Sequence, residues 1–466
     1  MAVILARRIC VVGACAAILL SLWCRGSIYA TALTVAGRGW TSGKSPLLRA
    51  TGKAKTPAHE SWWGLAASRA ETRSESKREE KETVNERRTG ASASQAAVLQ
   101  ELLDFYGEKA PAEEPWPVGR TMRVRGVSVF YKDSDPGGRQ SRDKPTIVLI
   151  HGFAASTASF DEVMQPLSKA ARVIAFDRPG FGRTERVMPN GSLPWQLSAR
   201  TLGENPYTAK FCAKLMWGML DRLGVEDVTL VSHSLGAQVA LRASLLRPNS
   251  VRAMVLTAPA ILNPLDSRFS MGKPDNGLSF FAPILNLRPR LEMVGKIMAF
   301  NVAVAGPTET ALEAVRDSML GEDIDQKVKN NFHNPDLVEK RPQLITKYIT
   351  PLKEENWDMG LLQFYRATAQ ETTGPGEQLM GNVMASWRGA MMVVAGENDA
   401  LVPLSACTYI AEEFGARLVV VEQCGHIPMD EKAEVFAKSV VQFIRSTAVR
   451  SGMGKGGRLP WLKRRR

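Results

Sequence analysis

The run Asp227-Val-Thr-Leu-Val-Ser-His-Ser-Leu-Gly-Ala237 leaves this chain few ways to fold. Its first half is short, apolar and β-branched. Ala237-Gln-Val-Ala-Leu-Arg-Ala243 reads as a helix, and only Ser-His-Ser-Leu-Gly stands between the two. A buried strand that passes directly into a helix is the repeating unit of a parallel sheet with helices packed on it. So tight a turn lifts the Ser234 hydroxyl out of the backbone and brings a helix N-terminus, with its unpaired N–H groups, beside it. The flanking positions must be small, and Ser232 and Gly236 meet that demand. Ser234 is therefore the candidate nucleophile.

The same strand and helix rhythm recurs along the chain. Thr146–Ile150 ends in His151-Gly152 and Ala171–Phe176 ends in Asp177. Further strands are predicted at 251–257, 390–395 and 416–422, with helical spacing at 157–169, 207–223, 236–247, 403–414 and 430–447. The alternation predicts an α/β fold with a mostly parallel sheet covered on both faces. Ahead of it, Met122, Val124, Val127 and Val129 around Gly126 predict an antiparallel hairpin. Residues 261–387 break the rhythm: helical in pattern, they are interrupted by Pro283, Pro289, Pro335, Pro342 and Pro351. An insertion there lies over the C-terminal ends of the strands, where open α/β sheets bind ligands. It is read as a helical cap. Its apolar residues Phe280, Phe281, Ile284, Leu285, Met293, Met298 and Phe300 serve as a cap core, an acyl pocket or both.

Charge separates the body from its tails. Residues 1–70 hold nine Lys/Arg against Glu60 alone, and 450–466 hold seven with no acid. These exceed the whole net charge of +13, so the body between them is slightly acidic and carries no nucleic-acid footprint. Behind Arg7 and Arg8, Ile9–Trp23 is uncharged and mostly apolar, shorter than the ~20 residues that span a bilayer comfortably. It reads as a signal-like core with Ala30-Thr-Ala32 as a small-residue cleavage site, a membrane anchor being the alternative. Residues 33–70 are transit-like in composition, which points to plastid import, with membrane anchoring or the secretory pathway as alternatives. Residues 71–90 contain six acids and six bases and read as a solvated linker. Gln95–Tyr106, with Val98, Leu102 and Phe105 at helical spacing, reads as a leading helix. The expected organisation is leader 1–32, linker 33–94, sheet domain 95–260 and 388–447, cap 261–387 and basic tail 448–466. The ending Pro460-Trp-Leu-Lys-Arg-Arg-Arg466 and the N-terminal apolar segment are the places where a membrane surface could be touched. No CxxC pair occurs among the six cysteines, so neither a disulfide framework nor a zinc site is expected.

Two further groups complete a catalytic constellation. His426 lies in Gln423-Cys-Gly-His-Ile-Pro-Met-Asp430, between the last strand and the last helix, where a loop can deliver a general base. Asp399, in Gly396-Glu-Asn-Asp-Ala-Leu-Val-Pro403, follows the preceding strand and would hold the His426 tautomer. Glu397 is the next acid in line, and Asp266 lies too far along. The oxyanion donors are expected to be the backbone N–H groups of Phe153 and Leu235. His233 and Asp177 are read as structural, and no metal or cofactor is called for.

Together His151-Gly-Phe153, Asp177-Arg-Pro-Gly-Phe-Gly182, Ser232-His-Ser-Leu-Gly236, Gly396-Glu-Asn-Asp399 and Cys424-Gly-His426 resemble the α/β-hydrolase superfamily over roughly residues 120–447. Asp177-Arg-Pro-Gly-Phe-Gly182 and Asn205-Pro-Tyr207 look most like its plant and algal members. The resemblance implies the fold, a Ser-Asp-His triad and hydrolysis. A serine at 234 disfavours the members that use aspartate as nucleophile. The expected function is cleavage of an apolar or lipid-like carboxylic ester through an acyl-enzyme. Carbon–carbon or thioester hydrolysis uses the same machinery, and a ligand sensor with little turnover is the alternative of a different class.

Overall fold

The computed structural model describes residues 116–138, 144–188, 201, 203–262, 306–320, 324–371 and 376–452, with isolated helical positions between 97 and 104. The leader, the transit-like stretch, the charged linker and most of the basic tail lie outside the described residues. So do Val98, Leu102 and Phe105 and the apolar residues named between 280 and 300.

The predicted hairpin is β1 (Gly119–Val124) and β2 (Val127–Asp133), turning through Arg125 and Gly126, both at positive φ. The strands β3 (Thr146–Ile150), β4 (Arg172–Phe176), β5 (Val228–His233), β6 (Val251–Thr257), β7 (Ala390–Gly396) and β8 (Arg417–Val421) follow. They form one eight-stranded sheet in the order β1-β2-β4-β3-β5-β6-β7-β8. β1 and β2 pair antiparallel with their neighbours, and every pair from β4 to β8 is parallel. The winding reverses at β3, which has β4 on one side and β5 on the other. A crevice opens there at the carboxyl ends of the strands.

Period-two alternation divides the core between the two faces. Val148 and Ile150 of β3 pack with α2 (Ala209–Arg222) and α3 (Gly236–Leu246), which follow β4 and β5. Ile147 and Leu149 pack with α1 (Asp161–Ser168), which precedes β4, and with the long C-terminal helix. Both sets are fully buried, as expected of strands covered on two sides.

Between β6 and β7 the described chain is helical: α4 (Thr308–Leu320), α5 (Ile324–Lys329), α6 (Asp336–Lys340), α7 (Gln343–Ile349), α8 (Trp357–Glu371) and α9 (Gly376–Ser386). Most of these helices share the core of the sheet, whereas α4 and α8 bury Ala311, Val315, Leu362 and Ala367 in a third cluster with Phe181 and Tyr207. Ile324, Val328, Phe332, Leu344, Ile345 and Ile349 belong to the same apolar cluster as β3 and α1. Met380 and Val383 of α9 join the opposite cluster beside α3. The reason is economy of surface: short amphipathic helices bury their apolar stripe best against an existing layer. After β7 come α10 (Leu404–Phe414), then β8, the short α11 (Pro428–Glu431) and α12 (Ala433–Gly452). Among the described residues, no helix is long and apolar enough to cross a membrane.

Candidate active site

Ser234 follows the last residue of β5 with φ at 51°, in the left-handed region that L-residues avoid. Surroundings impose that conformation. The Ser234 N–H donates to the Thr257 carbonyl at 2.9 Å, and the Ser234 carbonyl accepts from Ala260 N–H at 3.2 Å and Ala237 N–H at 3.1 Å. Gly236 has no choice of side chain, because a Cβ there would overlap the Ile150 carbonyl. Gly152 is pressed from the other side, with a Cβ at that position 2.9 Å from Ser234 Cβ. Ala154, Ala258 and Gln423, at the exits of β3, β6 and β8, also take positive φ. Backbone strain thus gathers at the strand ends around the serine.

Asp399 and His426 meet as the spacing implied. His426 Nδ1 lies 2.8 Å from Asp399 Oδ2, and the two residues are 6% and 4% exposed. The other carboxylate oxygen accepts the N–H groups of Leu401 at 2.8 Å and Val402 at 2.9 Å. Asp399 is therefore locked, and so is the imidazole edge that it holds. Glu397 is not brought to this pair: it is exposed, and its Oε2 accepts Gln423 N–H at 3.0 Å. Asp266 and His59 lie outside the described residues, and His333 is exposed. Among the described residues no hydrogen bond joins Ser234 Oγ to His426 Nε2.

The two expected oxyanion donors flank the serine. Phe153 follows Gly152 at the exit of β3, and Leu235 begins the turn into α3. Neither backbone N–H donates to an acceptor among the described residues. Over them lies an aromatic roof. The Phe153 ring is 6.1 Å from Phe181, 5.9 Å from Phe364 and 5.6 Å from Tyr365. Two small cavities lie near these loops. One, of about 20 Å³, runs from Ala154 past Phe181, Arg186, Leu352 and Trp357. The other, of about 10 Å³, runs from Leu235 past Arg178, Gln238, Phe364 and Glu371.

Two histidines hold this site in shape: His151, to which the sequence assigned no role, and His233, read as structural from the sequence. His151 Nδ1 sits 2.8 Å from the Gly152 carbonyl and its Nε2 accepts Arg178 N–H at 2.9 Å, which makes it a neutral ring bracing the Phe153 loop. His233 Nε2 lies 2.9 Å from the His426 carbonyl, so it donates there and braces the base loop, while its Nδ1 is buried without a partner. Burial pushes both down to about 3, helped by Arg178 for His151 and by His426 for His233. The presence of a histidine beside the elbow serine was the one available signal for the second role. Its partner, 193 positions away, was not legible. Asp177 is the structural turn expected of it. Its carboxylate accepts Thr157 N–H at 2.6 Å and Arg183 N–H at 2.7 Å, and burial raises it to about 6.

The three body cysteines are buried free thiols, and burial pushes Cys212 up to about 11 and Cys407 up to about 12. No group of three or more His, Cys, Asp or Glu among the described residues is placed to hold a metal ion.

Comparison with known proteins agrees with the fold. The sequence model of a family described as "alpha/beta hydrolase fold" matches residues 145–433. The chain is similar to the uncharacterized hydrolase YugF of Bacillus subtilis, 25% identical over 327 residues, covering 70% of this chain and 97% of that protein. It is also similar to a 2-hydroxy-6-oxononadienedioate/2-hydroxy-6-oxononatrienedioate hydrolase of Klebsiella pneumoniae, 24% identical over 340 residues, covering 67% and 94%. Among solved structures, a putative lipase from Acinetobacter baumannii superposes with a TM-score of 0.50 at 15% identity, covering 76% of this chain and 97% of that one.

Proposed function

The chain belongs to the α/β-hydrolase fold family, and from that premise we propose that it is a serine hydrolase acting on carboxylic esters with an apolar acyl or alcohol part. The observation that carries the reading is the buried Asp399–His426 pair, 2.8 Å apart, on the loops beside the strained Ser234. Ser234 Oγ attacks the ester carbonyl carbon and its proton passes to His426 Nε2. Asp399 holds the opposite ring nitrogen and stabilises the imidazolium. The negative oxygen of the tetrahedral intermediate is received by the N–H groups of Phe153 and Leu235, each such donor contributing about 3 kcal/mol. The C–O bond then breaks, His426 returns its proton to the departing alkoxide, and water repeats the sequence on the acyl-enzyme. The aromatic roof of Phe153, Phe181, Phe364 and Tyr365 supports an apolar substrate.

A second reading is hydrolysis of a carbon–carbon bond next to a ketone. It is favoured by the relative from Klebsiella pneumoniae, whose name gives a 2-hydroxy-6-oxo-dienedioate as substrate. The same serine, base and oxyanion donors serve both.

Reaction with a fluorophosphonate probe tests the shared mechanism. Wild type should label and Ser234→Ala should not. A folded wild type that fails to label would sink both readings and favour a ligand sensor. Parallel assays with a p-nitrophenyl ester and a 2-hydroxy-6-oxo-dienoate then separate ester from carbon–carbon cleavage. Asp399→Asn should lower kcat about 10⁴-fold with the fold intact.

A further inference from the structure

The insertion meets the site at two places. At the base loop, the Asn331 carbonyl accepts His426 N–H at 2.8 Å. Glu431 joins the same loop to the insertion, accepting N–H groups from Gly425 at 2.7 Å, His333 at 3.2 Å and Asn334 at 2.9 Å. At the oxyanion donors the meeting point is Arg178, two residues past the end of β4 and 3% exposed. Its backbone N–H donates to His151 Nε2 at 2.9 Å, and its Nη1 donates to the His151 carbonyl at 3.4 Å. The guanidinium carbon lies 5.6 Å from the centre of the Phe181 ring and 5.4 Å from that of Phe364, on α8. Its Nε is buried without a partner among the described residues.

A buried cation is ordinarily paired with a carboxylate. Among the described residues no carboxylate lies within ion-pair distance of Arg178. The groups that face it are the two rings, His151, the Cys212 thiol and the Glu371 carboxylate. Burial keeps the thiol neutral, and a guanidinium keeps its proton in any protein. Aromatic faces hold a cation without cancelling its charge. Glu371 cancels only part of it, because its oxygens accept the N–H groups that open α2 and one lies 3.7 Å from Arg242 Nε. A net positive charge is therefore left among apolar rings, where a low dielectric keeps its field strong. That field reaches the oxyanion loop, since Arg178 helps to hold His151 neutral two residues before Phe153. On the other side Arg178 and Leu235 line one cavity, of about 10 Å³. It has room for about one water molecule and admits no substrate group, so Arg178 is not a subsite for a substrate anion.

We propose that Arg178 is a preorganised positive charge that stabilises the negative oxygen received by the Phe153 and Leu235 N–H groups. It acts through its field on the two donor segments that it borders, and it is in place before that charge develops, so nothing need reorient during the reaction. This inference rests on Ser234 being the nucleophile and on those two donors. A bracing role alone, in which Arg178 merely holds His151 and the aromatic roof, would need the shape of the side chain but not its charge.

The test measures kcat, KM and Tm with p-nitrophenyl butyrate for wild type, Arg178→Met, Arg178→Lys and Glu371→Gln. Arg178→Met should lower kcat about tenfold or more and leave KM within about twofold. Arg178→Lys, which restores the charge but not the planar fork, should recover much of that loss. Glu371→Gln keeps an acceptor for the α2 N–H groups and removes a negative charge from the same cavity. Its kcat should rise about twofold even as Tm falls. Bracing predicts the opposite sign, because a loosened structure does not raise kcat. Wild-type kcat in Arg178→Met, Arg178→Lys no faster than Arg178→Met, or an unchanged or lower kcat in Glu371→Gln would overturn the proposal. If the Arg178 variants do not fold, Glu371→Gln decides alone. Fluorophosphonate labelling rates provide the same comparison if the ester turns over poorly. A wild type that labels no faster than Arg178→Met removes the Arg178 proposal alone. A folded wild type that does not label removes the serine-hydrolase reading with it.

Discussion

At the scale of the residue, the site depends on groups kept out of their ordinary state. Ser234 is held in a left-handed conformation, and His151 and His233 are held neutral. The histidines make stability pH-dependent with a definite sign. Their folded values, about 3, lie below the ordinary 6.5, so their contribution is present above pH 6.5 and lost as pH falls toward 3. Asp177, raised from 3.8 to about 6, acts oppositely: its contribution is present below 3.8 and lost as pH rises through 6. Two larger displacements oppose one smaller one, so the urea midpoint should fall from pH 7 to pH 4; a flat or rising midpoint would refute the sign. Gly236→Ala should cost about 3 kcal/mol or prevent folding, because the obstacle is the Ile150 backbone and cannot swing away. Denaturation of soluble protein checks it. Ser234 was legible in the sequence because strand, turn and helix are contiguous. The second role of His233 was not, because a side chain that braces a distant carbonyl leaves no periodic mark.

At the scale of the element, strand ends and helix ends define the site. Alternation located the strands, and Asp399 and His426 were legible because each follows a strand at the catalytic edge. The hold of the insertion on those loops was not legible, since its contacts join short helices by single polar side chains. Glu371 is an example. At the end of α8, it accepts Ala209 N–H at 2.6 Å and Lys210 N–H at 3.1 Å, while Thr208 Oγ receives Phe211 N–H at 3.1 Å. The first turn of α2 is thus capped by a residue 162 positions away. Glu371→Ala should destabilise the protein by about 1–2 kcal/mol, by loss of the cap and of negative charge at a helix N-terminus. A thermal melt would show it, and an unchanged Tm would mean that Thr208 suffices. The Asn205-Pro-Tyr207 turn that leads into α2 is fixed by Tyr207 OH donating to the Val187 carbonyl at 2.8 Å.

For the whole molecule, one apolar cluster runs from the sheet through α1 and α12 into α5 and α7. Sheet and insertion should therefore unfold together, with the calorimetric and van't Hoff enthalpies of the main transition in agreement. Leu344→Ala, on α7, should cost about 2–5 kcal/mol and lower that single transition without splitting it. A separate early transition would show that the insertion melts alone. The position of His426 has a consequence for biogenesis. Ser234 lies at the exit of the fifth strand, whereas His426 follows the eighth and is gripped by chain made in between. Synthesis runs from the N-terminus, so a ribosome-bound chain can shape its elbow long before the imidazole emerges. On the mechanism proposed above, the nascent protein carries a serine without its base until the last strand is added.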